Sequence, residues 1–210
     1  MKSSFMRPAL ALALALGLAA CGGNNKAMFT VGGKVGGLQY PGLVLTNNGG
    51  SDLPVAPPAT AGSTVQFAFP KQIEYGDGYN VQIKQHPLHQ TCQTMDDPTH
   101  EFANNRDTAG RLAVIDVVVN CFINQFTIGG KVSGLAADGL ILANGSTGGT
   151  VALQKTATEY RFDTTVPYNV TYGVTVLQHP TGQVCSVANS TGVMGDANVE
   201  NIDVTCVPAS

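Results

Sequence analysis

The chain is written twice. Residues 29–48 read FTVGGKVGGLQYPGLVLTNN and residues 126–145 read FTIGGKVSGLAADGLILANG, a match at a shift of 97. Further on, Phe67, Phe69, Tyr75, Tyr79 and Cys92 match Tyr160, Phe162, Tyr168, Tyr172 and Cys185 at a shift of 93, and Cys121 matches Cys206 at 85. The falling shift locates two extra stretches in the first copy, one between Asn47 and Phe67 around Pro54 to Pro58, the other between Cys92 and Cys121. Loops accept such changes and cores do not. Two copies of about 80 to 95 residues fit small independent domains. We assign repeat 1 to 28–121 and repeat 2 to 126–207; the four residues between them predict end-to-end stacking with restricted motion.

Within each copy the apolar residues recur with period two. Tyr79, Val81 and Ile83 alternate with Asn80, Gln82 and Lys84, and Ile202, Val204 and Cys206 alternate with Asn201, Asp203 and Thr205. Such runs are strands with one buried face. Pro41-Gly42, Asn48-Gly49, Asp77-Gly78, Asp138-Gly139 and Asn144-Gly145 separate them with the backbone conformations that tight turns require. After the leader no stretch has helical period. About seven short strands per copy describe an all-β chain of two tandem β-sandwich domains.

The first 20 residues are a leader: Lys2 and Arg7, then an Ala/Leu run from Ala9 to Ala20 that falls short of the roughly 20 apolar residues of a membrane span. Leu18-Ala19-Ala20-Cys21 resembles the lipobox of bacterial lipoproteins. The resemblance implies cleavage before Cys21, acylation of that residue (palmitate among the chains), and stable anchoring, since several chains hold where one is marginal. Gly22 in place of Asp implies sorting to the outer membrane, with 21–27 as acylated residue and tether.

Cysteine counting agrees. Five is odd, and assigning Cys21 to the lipid leaves Cys92, Cys121, Cys185 and Cys206, for which three pairings exist. The repeat and the inward face shared by Val117, Val119 and Cys121 select Cys92 with Cys121 and Cys185 with Cys206. The formal charge of −3 becomes −5 once Lys2 and Arg7 are set aside, and no basic tract remains. That argues against a nucleic-acid partner.

The order GGKVxGL, GLxL, aromatic-x-Phe, Tyr-x-V-x-(I/V), P…C and V-x-C resembles the tandem immunoglobulin-like or prealbumin-like modules of bacterial envelope proteins. It covers nearly all of both copies. The resemblance implies an extracytoplasmic accessory role and brings no catalytic residues with it.

QHPLHQTC, residues 85–92, raises metal binding, because His86, His89 and Cys92 are ligand types for zinc or copper. Repeat 2 reads QHPTGQVC there, so His86 recurs as His179 while His89 becomes Gly182. A bridged Cys92 has no thiolate to offer, and a recurring His-Pro is a strand-ending turn. A weak alternative joins His86 and His89 to Asp96, Asp97, His100 and Glu101 of the inserted loop within 93–110. No common nucleophile, zinc or phosphate motif is present, and Asp196-Ala-Asn198-Val-Glu200 lacks the rest of a calcium loop. A Lys34 to Asn120 isopeptide is disfavoured because both alternate onto the outer face.

The expectation is a noncatalytic, membrane-anchored module without cofactor, structural or protein-binding. Its contact surface would use what the copies do not share: Tyr40, the Pro54 to Pro58 loop, Phe102 and Arg106. Tyr75 and Tyr168, being shared, are expected to be packing residues. The alternatives are carbohydrate binding or adhesion, with Tyr40 as platform in a chain without Trp, and metal binding on the inserted loop.

Overall fold

A computed structural model describes residues 26–95 and 105–210. The leader, Cys21, most of the tether, Asp96, Asp97, His100, Glu101 and Phe102 lie outside the described residues.

Repeat 1 runs through β1 (Met28–Phe29), β2 (Val31–Gly36), β3 (Leu43–Asn47), β4 (Ser51–Val55), β5 (Val65–Ala68), β6 (Ile73–Glu74), β7 (Gly78–Gln85), β8 (Gln90–Thr94), β9 (Arg106–Thr108) and β10 (Ile115–Ile123). Repeat 2 follows with β11 (Gln125–Phe126), β12 (Gly129–Ser133), β13 (Leu140–Asn144), β14 (Thr150–Leu153), β15 (Glu159–Arg161), β16 (Val166–Pro167), β17 (Thr171–Gln178), β18 (Gln183–Val187), β19 (Thr191–Val193) and β20 (Val204–Pro208). Each repeat is a sandwich of two four-stranded sheets, ordered β5-β2-β10-β8 and β4-β3-β7-β9 in the first, β15-β12-β20-β18 and β14-β13-β17-β19 in the second. The pairs β1–β6 and β11–β16 complete them. The sheets thus hold eight strands where about seven were expected; the three-residue edge strands β9 and β19 bury no apolar face and carry no period-two signal.

The alternation read from sequence builds the cores. Val31, Val35, Leu43, Leu45, Val81, Val117 and Val119 meet Phe67 and Phe69 in one apolar cluster. Ile128, Leu140, Leu142, Val174, Ile202 and Val204 meet Tyr160 and Phe162 in a second. Each buried Val, Leu or Phe contributes roughly 1.5 to 3 kcal/mol. Within each sheet every neighbouring pair is antiparallel except the first and last long strands: β2 runs parallel to β10, from Val31 beside Ile115 to Gly36 beside Asn120, and β12 runs parallel to β20. The starts of β2 and β10 therefore lie at one end of the repeat, where the chain enters.

Those parallel contacts explain GGKVxGL. A Cβ on Gly33 would strike the carbonyl of Val117, and one on Gly37, which sits at φ +71°, would strike that of Cys121. The disulfides pair as expected, Cys92 with Cys121 and Cys185 with Cys206. Each joins residues directly opposite on neighbouring antiparallel strands, β8 with β10 and β18 with β20. Lys34 lies on the outer face, its Nζ 3.4 Å from Asp116 Oδ2.

The extra stretches of repeat 1 fall between elements. One is the 56–64 loop joining β4 to β5, with Pro54 on edge strand β4 where the ladder tolerates a missing donor. The other separates β8 from β9, so Arg106 belongs to β9, paired with Asn80 of β7, and not to the insertion.

Candidate functional site

Two residues that distinguish repeat 1, Tyr40 and His89, meet at its junction with repeat 2. The construction starts at Gln90, only 1% exposed. Its Oε1 accepts the backbone N–H groups of Gln39 and Tyr40 at 2.7 and 3.0 Å, and its Nε2 donates to the Gly37 carbonyl at 2.7 Å. A buried amide with three partners fixes the 37–40 loop and, with it, Tyr40. Gln183 does the same in repeat 2, binding the N–H groups of Ala136 and Ala137 and the carbonyl of Gly134. The scaffold is shared; its cargo differs, Tyr40 in one repeat and Ala137 in the other.

His89 precedes Gln90 at φ +58°, a left-handed conformation that costs a non-glycine residue about 1 kcal/mol; its counterpart Gly182 sits at φ +70°. A strained His where the duplicate has Gly points to use of the side chain. The ring stacks on Tyr168 of repeat 2, centroids 3.7 Å apart and 4° from parallel. Tyr40 meets both rings edge-on, 5.0 Å from His89 and 5.7 Å from Tyr168. Beyond the stack, His89 Nδ1 lies 2.7 Å from Asp196 Oδ2, also in repeat 2. Aromatic pairs in these geometries are worth about 0.5 to 1.5 kcal/mol each beyond area burial.

The backbone crossing closes the same joint. β10 continues to Ile123 and β11 begins at Gln125, so Asn124 alone separates strands of different repeats. Its N–H donates to the His89 carbonyl at 2.9 Å, its carbonyl accepts from Tyr168 N–H at 2.9 Å, and its side-chain oxygen accepts from the Thr91 hydroxyl at 2.8 Å. A one-residue crossing bonded on both sides is a stiff connection.

Of the residues singled out from sequence, Tyr40 and His89 come together in the joint. Arg106 is exposed on β9, opposite Asn80 of β7. His86 does not join His89: its Nδ1 accepts the Cys92 N–H at 3.1 Å, as His179 accepts that of Cys185 at 3.0 Å. The recurring His is a turn brace. Among the described residues no group of three His, Cys, Asp or Glu side chains could hold a metal. The run 196–200 splits toward three partners: Asp196 to His89, Asn198 to the Thr127 N–H at 3.0 Å, and Glu200 to Arg161 at 3.5 Å. Tyr168 packs as expected, whereas Tyr75 is 58% exposed. Sequence reasoning missed Gln90 and Asp196. Gln90 was detectable, because Gln two residues before Cys recurs in both copies; Asp196 was not, because its partner lies 107 residues away.

No protein-family description matches the chain, and no curated protein does. Among solved structures it is similar to the C-terminal fragment of the pilus adhesin SpaC from Lactobacillus rhamnosus GG, at 11% identity over 72% of this chain and 84% of that one, with a TM-score of 0.34. The open conformation of SpaC matches at 11% identity and TM-score 0.30, over 71% of this chain and 26% of that one. A double mutant of the shaft pilin SpaA from the same organism matches at 10% identity and TM-score 0.29, over 88% of this chain and 99% of that one.

Proposed function

We propose that the chain is a noncatalytic module of the bacterial envelope, held to the outer membrane by acyl chains on Cys21, whose two repeats act as one stiff body presenting surfaces to other envelope components. One observation carries this reading. Two aromatic residues that repeat 1 has and repeat 2 lacks, Tyr40 and His89, are engaged with repeat 2 in a stack braced by Asp196. Divergence between duplicates has gone into fixing their relative orientation, which serves a spacer or structural element. Tyr40, the ring on which carbohydrate binding would have rested, is half-buried in that stack.

Interdomain orientation tests the reading. With nitroxide pairs across the two repeats, the chain from residue 22 onward should give a narrow distance distribution. The double variant Tyr40→Ala, His89→Gly, which installs the repeat 2 residues, should broaden it while both domains stay folded. An equally narrow distribution in the variant would refute the stiff-body reading. Anchoring is tested separately: Cys21→Ser should abolish metabolic palmitate labelling and release the protein from the membrane fraction.

A further inference from the structure

The chain enters both repeats in the same way. Tyr168 N–H bonds to the carbonyl of Asn124, and Tyr75 N–H bonds to that of Ala27, at the matched position. In repeat 2 this entry face is covered by the body that precedes it: Tyr168 stacks on His89, and Asp196 pairs with it. In repeat 1 the same two positions hold Tyr75 and Arg111. On the anchoring reading, repeat 1 is joined to the lipid by a short tether. Only four residues lie between Cys21 and Lys26, five steps of chain with a reach of at most about 18 Å.

The uncovered entry face is apolar at its centre. Met28 is 51% exposed, Tyr75 58%, Leu112 50% and Val114 71%. They sit at one end of the sandwich, because Met28 faces Glu74 across β1–β6, Gly110 packs beneath the Tyr75 ring, and Val114 immediately precedes the start of β10. Charge around them is balanced. Lys26 pairs with Glu74 at 3.2 Å and Arg111 with Asp107 at 3.0 Å. Aliphatic side chains with a tyrosine, ringed by neutralised charge, suit the interfacial zone of a bilayer, where amphipathic rings lodge at headgroup level.

We propose that the entry face of repeat 1 rests on the lipid surface that anchors Cys21, taking in the membrane the place that repeat 1 takes on repeat 2, so that the stiff pair stands on the bilayer. The inference rests on the anchoring reading. Because the face carries no excess charge, contact does not require anionic lipid.

The test replaces acylation by chemistry. The chain from Cys21 onward, its other four cysteines bridged, is coupled through the Cys21 thiol to a maleimide-headgroup lipid in phosphatidylcholine vesicles. The protein has no native Trp. A reporter introduced by Leu112→Trp should shift its emission to the blue and be quenched by doxyl-labelled lipid at least twofold more than one introduced by Ala136→Trp at the far end of repeat 2. Adding Tyr75→Ser and Val114→Ser, both at exposed positions, should reduce quenching to the Ala136→Trp level. Equal quenching at the two reporters overturns the proposal, even if cells label Cys21 with palmitate. Absence of that label in cells overturns the anchoring on which it rests, whatever the vesicles show.

Discussion

At the scale of single residues, a few buried polar groups hold the loops that the apolar pattern leaves free. Gln90 satisfies three backbone groups of the 37–40 loop at once. Gln90→Ala strands them and should cost about 2 to 3 kcal/mol, read as a lower urea midpoint for repeat 1. Tyr160 is a second case. Its hydroxyl donates to the Ile202 carbonyl at 2.8 Å, and burial, with Asp203 nearby, pushes its phenol well above the ordinary value. Tyr79 is raised in the same direction, by burial first and then by Asp107. A raised phenol stays neutral in the fold while the unfolded chain ionises near pH 10, so its contribution is complete below that pH and is lost as pH climbs toward the folded value. Alkaline titration of stability should therefore show a fall beginning near pH 10. Tyr160→Phe should shrink that fall while costing about 1 kcal/mol at neutral pH. Gly33 acts by having no side chain: Gly33→Ala forces a methyl into the Val117 carbonyl and should cost at least about 2 kcal/mol in thermal melts.

At the scale of elements, the disulfides and the insertions obey one rule: what lies inside the ladders is shared, and what lies between them diverges. Cys185 and Cys206 close a loop with a sequence separation of 21 at a directly opposed pair. Replacing both with Ala should lower the stability of repeat 2 by about 3 kcal/mol on the chain-entropy view, measured by denaturant unfolding. The strands themselves were legible. Period two, turn dipeptides and the repeat itself located β2, β3, β7, β10 and their counterparts, because burial on one face imprints directly on the sequence. The edge strands β9 and β19 were not, since neither has a buried apolar face to leave a pattern. For that reason nothing in the sequence marks Arg106 as a strand residue rather than part of the insertion.

At the scale of the molecule, the joint is the feature that duplication alone does not supply. In His89→Gly the backbone strain disappears along with the Tyr168 stack and the Asp196 contact. Domain melting temperatures should then hold steady or rise while interdomain distances broaden, a combination that calorimetry and pulsed distance measurements check together. A merely structural histidine would lower the melting temperature instead. By itself the sequence determined the two sandwiches, their disulfide pairing and the register of their cores. Those depend on alternation and matched positions, and two copies of one pattern report them twice. Only the tertiary structure decided that Tyr40 and His89 face repeat 2 and that Tyr75 is left uncovered. Neither periodicity nor duplication encodes a contact such as that of His89 with Asp196, between residues 107 apart whose counterparts are Gly182 and Arg111. Such a contact exists only once the chain has crossed from one domain to the next at Asn124 and set two end faces together.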